Sequence, residues 1–419
     1  MDSSPPASSS PLLLCLQASL EPGRPGTPRD PAGWTRVTDL ACRQELAPLL
    51  YHELGQARLR DRVPGPDLAR LERAYYLNAD RNIRIYRELR PVLACLRDSD
   101  IPVIVLKGAL LAEAVYGNIA LRTMGDVDLL VPRAGLARAR AALVAAGCAH
   151  AEGDIEAACR VSHQLDAFVA EGLSVEIHWT IERPTSPFAI DTAGLWARAR
   201  PVRVAGVEVL TLSPEDLLLH LCLHVAYHHG LAAGLTPFCD IARVIECHRA
   251  GLDWPRLART AGDWGAARHA GLALELARIL LGARVPREAL ERLVPGGISP
   301  TLLDTARECV LASSSLRQWK PRSLYELFGA ESPADGLTVV RRRLFMSRAG
   351  LAARYSSARG QRQPGSLRAR WFGHLARSCW SYFVRPRLAR LGLLGRGHDR
   401  GVALADWLGR TGTRDNQSR

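Results

Sequence analysis

The spacing of apolar positions changes character along the chain. From Trp34 to about Asp98 it is helical, first through Leu40, Leu46, Leu49 and Leu50. It continues through Leu68, Leu71, Tyr75, Ala79, Ile83, Tyr86, Leu89, Leu93 and Leu96. No glycine interrupts this second series, which predicts a long helix that Pro91 kinks or divides. At Ile101 the pattern turns to short, β-branched runs. Residues 103–106 predict a buried strand leading into Lys107-Gly108 and a helix over 109–116, closed by Gly117 in a left-handed cap. Residues 126–131 predict a second strand stopped by Pro132. A helix follows, with Leu136, Ala139, Leu143 and Val144 on one face. Residues 164–169 and 173–179 predict a hairpin about Glu171-Gly172, and 207–212 a further strand. Ser213-Pro214-Glu215-Asp216 reads as a helix start, with a serine cap, an early proline and acids in the first turn. Helices then follow over 237–249, 254–281 and 286–293, and onward to about 315.

Strands alternating with helices predict an α/β fold. Its small mixed sheet occupies 101–212, between helical regions at 34–100 and 213–315. Residues 1–33 read as a loose, Ser/Pro-rich segment, and 316–419 as a basic extension. A chain of 419 residues with 47% hydrophobic and 23% charged positions is globular in composition, which excludes disordered, collagen-like and disulfide-dense classes. The ten cysteines form no CxxC pair, so zinc ribbons have no support. No apolar run approaches the roughly 20 residues of a membrane span. The short run at 12–16 follows Asp2 rather than a cationic start. A soluble, cytoplasmic protein is expected.

Charge changes this picture only at the C-terminal end. The formal charge is +13, yet residues 311–419 alone hold 21 Arg and Lys against 6 Asp and Glu. There Arg341-Arg342-Arg343, Arg354, Arg359, Arg368, Arg370, Arg385, Arg387 and Arg390 interleave with Trp371, Phe372, Trp380, Tyr382 and Phe383. Such a segment suits RNA or an anionic surface, or is a solvated arginine-rich extension whose aromatics pack back on the body; the second reading is favoured because no named nucleic-acid motif is present. Only two of the 55 basic residues are lysines, Lys107 and Lys320.

Candidate chemistry centres on Asp126 and Asp128. Aspartate is disfavoured within strands, and positions two apart share a face. Two carboxylates side by side repel, and a divalent cation relieves that conflict, with Mg²⁺ or Mn²⁺ suited to such oxygen donors. Glu176 stands alone in Val175-Glu176-Ile177 on a later strand. The bland alternative is a strand end with one Asp capping a turn. Lys107-Gly108 at a strand–helix junction suits a phosphate, and Arg122 is either a second phosphate clamp or a solvated loop arginine. His178 shares a strand face with Glu176 and either orients a phosphate or is a core histidine. His220, His224 and His228 lie four apart, as a transition-metal site or, the favoured reading, a polar face packed toward the α/β domain.

Leu106-Lys107-Gly108, Tyr116, Arg122, residues 126–131 and Val175-Glu176-Ile177-His178-Trp179 together resemble the bacterial nucleotidyltransferase-like family of the polymerase-β-type nucleotidyltransferase superfamily. The resemblance runs over about 34–315 and more loosely to Val384-Arg385-Pro386. It implies metal-binding roles for Asp126, Asp128 and Glu176, and triphosphate binding at Gly108. The expected activity is transfer of a nucleoside monophosphate from an NTP to an acceptor hydroxyl, on a small molecule or a protein, with release of pyrophosphate. The alternative is a catalytically inactive nucleotide- or RNA-binding regulator. Two features depart from the superfamily pattern. The junction is Lys-Gly where Gly-Ser is usual, and seventeen residues separate Gly108 from Asp126, a longer spacing than usual.

Overall fold

In a computed structural model, residues 28, 30–150, 154–311 and 396–409 are described. The basic, aromatic-interleaved segment at 341–390 lies outside the described residues. The described residues form two compact units, one holding those up to Ala226 with Ala233–Gly297, the other Tyr227–Ala232 with those from Ile298.

Among the described residues, the first unit opens with the helices α1 (Pro31–Arg43), α2 (Ala47–Gln56) and α3 (Gly65–Asp98). Asp30 caps α1 by accepting the Gly33 N–H at 2.7 Å, and Pro31 opens it. The long helix forms as the spacing demands, burying Leu71, Ile85, Leu89, Leu93 and Leu96. It is not divided: α3 runs through Pro91. That residue faces solvent, where water can satisfy the carbonyl its missing N–H would have bonded.

Six strands make one mixed sheet: β1 (Ile104–Val105), β2 (Asp126–Leu130), β3 (Phe168–Ala170), β4 (Leu173–His178), β5 (Arg200–Val204) and β6 (Val207–Thr211). Their spatial order is β3-β4-β2-β1-β6-β5. β1 is antiparallel to β2 and parallel to β6, while β2 and β4 run parallel. The chain is thus α/β, as its patterning predicts. The β3–β4 hairpin turns at Glu171 (φ 46°) and Gly172 (φ 87°), the two positive φ values a tight type I′ turn requires. β5 had no counterpart in the sequence reading. It pairs with β6 through a like turn at Ala205 (φ 51°) and Gly206 (φ 76°). The expected strand over 164–169 is shorter; Gln164 keeps one isolated bridge to His178.

Between the strands, α4 (Lys107–Leu110) starts two residues earlier than expected, at the lysine itself, and continues as a π-helical turn over Leu111–Val115. Gly117 follows with φ 66°. α5 (Leu136–Ala145) buries Leu136, Ala139 and Leu143, whereas Val144 is half exposed rather than on that face. Two short helices were unforeseen, α6 (Ile155–Val161) and α7 (Thr192–Ala197).

Helix α8 (Pro214–Leu223) is capped by Ser213, as the motif implies, and leads into a π-helical turn, His224–His228. Its two first-turn acids are buried against arginines. Asp216 takes a forked pair from Arg198 at 2.8 and 3.0 Å, and Glu215 accepts the Asp253 N–H and pairs with Arg256. Then come α9 (Thr236–Cys247), α10 (Trp254–Asp263), α11 (Ala267–Leu281) and α12 (Arg287–Leu293). The single helix expected over 254–281 is broken at Gly265, whose φ of 71° ends α10. In the second unit α13 (Pro300–Leu311) packs with α14 (Arg396–Gly409), burying Ala306, Val310, Leu404, Ala405 and Leu408. No helix among the described residues is long and apolar enough to cross a membrane.

Candidate active site

Strand register brings the acids together. In the parallel β2–β4 pair, Asp126 lies opposite Ser174, Asp128 opposite Glu176 and Leu130 opposite His178. Val127, Leu129, Val175 and Ile177 fill the other face and are fully buried. The alternation of two unrelated segments therefore sorts apolar residues to the core and Asp126, Asp128, Glu176 and His178 to one surface. Asp126 sits at the solvent end and Asp128 is buried.

β1 delivers Lys107 to the same place. The Leu106 N–H donates to the Asp128 carbonyl at 3.0 Å, so the residue after the strand emerges beside that aspartate. Lys107 Nζ lies 3.0 Å from Asp128 Oδ2, and His178 Nε2 lies 3.0 Å from Asp128 Oδ1. The same imidazole nitrogen is 3.7 Å from Glu176 Oε2. Donor atoms of Asp128, Glu176 and His178 all fall within 4.8 Å of one another, the compactness a single cation needs, and they form the one such group found among the described residues. His178, weighed from sequence as a phosphate contact or a core residue, thus stands among the acids. Its Nδ1 is buried without a hydrogen-bond partner in the structure.

The charges within the group are unequal. Burial and the neighbouring Asp128 and Glu176 carboxylates push the Asp126 carboxyl above its ordinary range. Burial would raise Asp128 too, but the Lys107 ammonium and the His178 hydrogen bond outweigh it and hold that carboxyl well below the ordinary range. His178 is raised, its burial overcome by the hydrogen bonds to Asp128 and Glu176. Asp126 is thus the acid still short of positive charge. This is a donor set that fits a divalent cation, with one member already neutralised.

Arg122 stands differently from the free clamp weighed above. Its guanidinium forks onto Asp240 of α9, Nε to Oδ1 at 2.9 Å and Nη2 to Oδ2 at 2.9 Å, and Tyr116 Oη donates to the same carboxylate at 2.9 Å. Burial alone would lower the Arg122 pKa; the Asp240 carboxylate raises it instead. The loop over 117–125 is held further by α3. Asn78 donates to the Ala120 carbonyl at 2.7 Å, and Asn82 to the carbonyls of Ile119 and Arg122. Gly108 backs onto this loop: a β-carbon there would lie 3.5 Å from the Asp126 carbonyl oxygen and 3.6 Å from Arg122 Nη1. Asn78, Asn82 and Asp240 escaped the sequence reading. The asparagines did leave a signal, since both interrupt the apolar face of a helix four residues apart.

The histidine series starts inside the fold, with His220 buried and His224 and His228 partly exposed. Every residue of α8 is buried, His220 included, and His220 and His224 are 6.2 Å apart between ring centroids.

Comparison with known proteins agrees with this geometry. Residues 30–282 match a family model described as an uncharacterised nucleotidyltransferase. No curated protein and no solved structure matches the chain. The match spans well over half of the 419 residues and takes in the sheet, the acid cluster and Asp240; the chain belongs to this nucleotidyltransferase family.

Proposed function

We propose that the protein transfers a nucleoside monophosphate from an NTP to a hydroxyl group of a small molecule or protein, releasing pyrophosphate. The observation that carries this reading is the β2–β4 register, which sets Glu176 beside Asp128 with Asp126 two residues away on the same face. Asp126, Asp128 and Glu176 would hold Mg²⁺ or Mn²⁺, which when bound supplies neutralisation of the triphosphate and acidifies the attacking hydroxyl. The acceptor oxygen forms a bond to the α-phosphorus as the bond to the bridging oxygen breaks, and pyrophosphate leaves with that oxygen. Glu176, one-quarter exposed at its side chain, would take the hydroxyl proton. Lys107 and the Gly108 backbone would steady the phosphates. Arg122, committed to Asp240, would serve by fixing the loop that carries Asp126.

A second reading, a nucleotide- or RNA-binding regulator without turnover, draws on the Lys107–Asp128 pair, which already neutralises one acid. Thermal melting with each NTP, with and without Mg²⁺, separates the two from inert protein. Ligand at 100 times its Kd adds roughly 2.7 kcal/mol, a shift of several degrees. The expected shift needs both metal and nucleotide and disappears in the Asp126→Ala/Asp128→Ala variant. An equal shift in that variant would remove the acids from the mechanism. A shift indifferent to metal, without pyrophosphate release, would favour the regulator.

A further inference from the structure

Asp128 is the most buried acid of the site, and both of its oxygens are engaged, one by Lys107 Nζ and one by His178 Nε2, each at 3.0 Å. A divalent cation approaching Asp128 meets a charge already balanced by a protein ammonium. Among the described residues Asp126 and Glu176 have no lysine or arginine within salt-bridge distance, Glu176 having only the His178 imidazole at 3.7 Å, so the ammonium's neutralisation is local to Asp128. Lys107 is also able to leave. Its side chain is 14% exposed, and its ammonium sits on a flexible four-carbon stem with three rotatable donors. A planar arginine would hold the carboxylate through a more rigid fork. In a chain that uses arginine for 53 of its 55 basic residues, the group at this position is a lysine.

We propose that Lys107 is the resident counter-charge of the metal site, excluding a divalent cation from Asp128 until a nucleoside triphosphate draws the ammonium away, so that metal and nucleotide load together. The proposal rests on the metal-dependent reading above. A triphosphate carries enough negative charge to compete for the ammonium. Once the lysine turns to it, Asp128 is left with only the imidazole and regains its demand for a cation. Metal alone offers the lysine no alternative partner.

The test is Mn²⁺ binding without nucleotide, followed by loss of the free-ion paramagnetic resonance signal, in the wild type, Lys107→Met and Lys107→Arg. The expected result is weak binding by the wild type and Lys107→Arg, and at least tenfold tighter binding by Lys107→Met. Equal, tight binding by the wild type and Lys107→Met would overturn the counter-charge while leaving the metal site standing. Failure of all three to bind, with no melting shift in the wild type given Mn²⁺ and NTP together, would sink the metal reading itself. Should Lys107→Met not fold, the wild type answers directly, since lysine-labelled protein shows only two side-chain ammonium resonances. The Lys107 signal should be unmoved by Mg²⁺ alone and move with Mg²⁺ and NTP. Movement with Mg²⁺ alone would overturn the proposal.

Discussion

Asp240 gathers three hydrogen-bond donors around one carboxylate with 3% of its side chain exposed, and its partner Arg122 is 13% exposed. Removing one member of a buried pair strands the other, which costs about 3–5 kcal/mol. Asp240→Ala should therefore lower the urea midpoint strongly, whereas Tyr116→Phe, which deletes a single hydrogen bond, should cost about 1 kcal/mol. Similar losses in the two variants would mean the carboxylate does not organise the loop. His269 makes a different prediction. Burial depresses its pKa to about 3. The unfolded chain, near 6.5, therefore binds the proton first as pH falls. Stability contributed by the neutral ring is whole above about pH 6.5 and declines by about 1.4 kcal/mol per unit toward pH 3. His269→Leu should flatten that part of the curve; an unchanged slope would show the ring protonates freely in the native state.

Among the elements, α3 is the least conventional, carrying a proline about two turns before its C-terminal end and two asparagines on its buried side. Pro91 is exposed and lacks a helical N–H, so Pro91→Ala should stabilise the protein by up to about 3 kcal/mol in urea unfolding. A loss instead would indicate that the ring packs where the substitution leaves a gap. The element scale also shows what patterning can convey. β2 and β4 were legible because valine, leucine and isoleucine alternate with acids, and the same alternation exposed Asp126, Asp128 and Glu176. β5 was not, since Arg200, Pro201 and Arg203 are exposed on an edge strand and only Val204 is fully buried. The break before α11 hung on one glycine inside an otherwise helical run. Asp240 lies 118 residues from Arg122, and nothing local marks either as the other's partner. Lys107 was legible as chemistry but not as a partner of Asp128, because that contact depends on β1 lying antiparallel to β2.

At the scale of the molecule, the sheet and the helices after it are one construction. Asp240 reaches back to the loop before β2, Gln44 accepts the Leu235 N–H at 3.1 Å from the region before α2, and Arg243 pairs with Glu53. A fragment holding only residues 101–212 keeps Arg122 but loses Asp240, together with the helices on both sides that the other two contacts hold to each other. It should show no cooperative unfolding, while residues 28–297 should melt as the parent site does and keep any nucleotide-dependent shift. Cooperative melting of the short fragment would refute this dependence.

The Arg122–Asp240 link has one more consequence, for how such a protein can be inherited and recombined. Catalytic sheets are often treated as exchangeable cassettes, with specificity supplied by whatever helices follow. Here a helix beyond the sheet owns the anion on which the loop before β2 is pinned. A swap at the natural-looking seam after β6 would import a helix whose residue at that place need not be acidic, leaving an arginine buried with no counter-ion. Functional chimaeras should survive only where the crossover keeps the loop and α9 from the same parent, which makes the two segments a single unit of descent despite the distance between them in the chain.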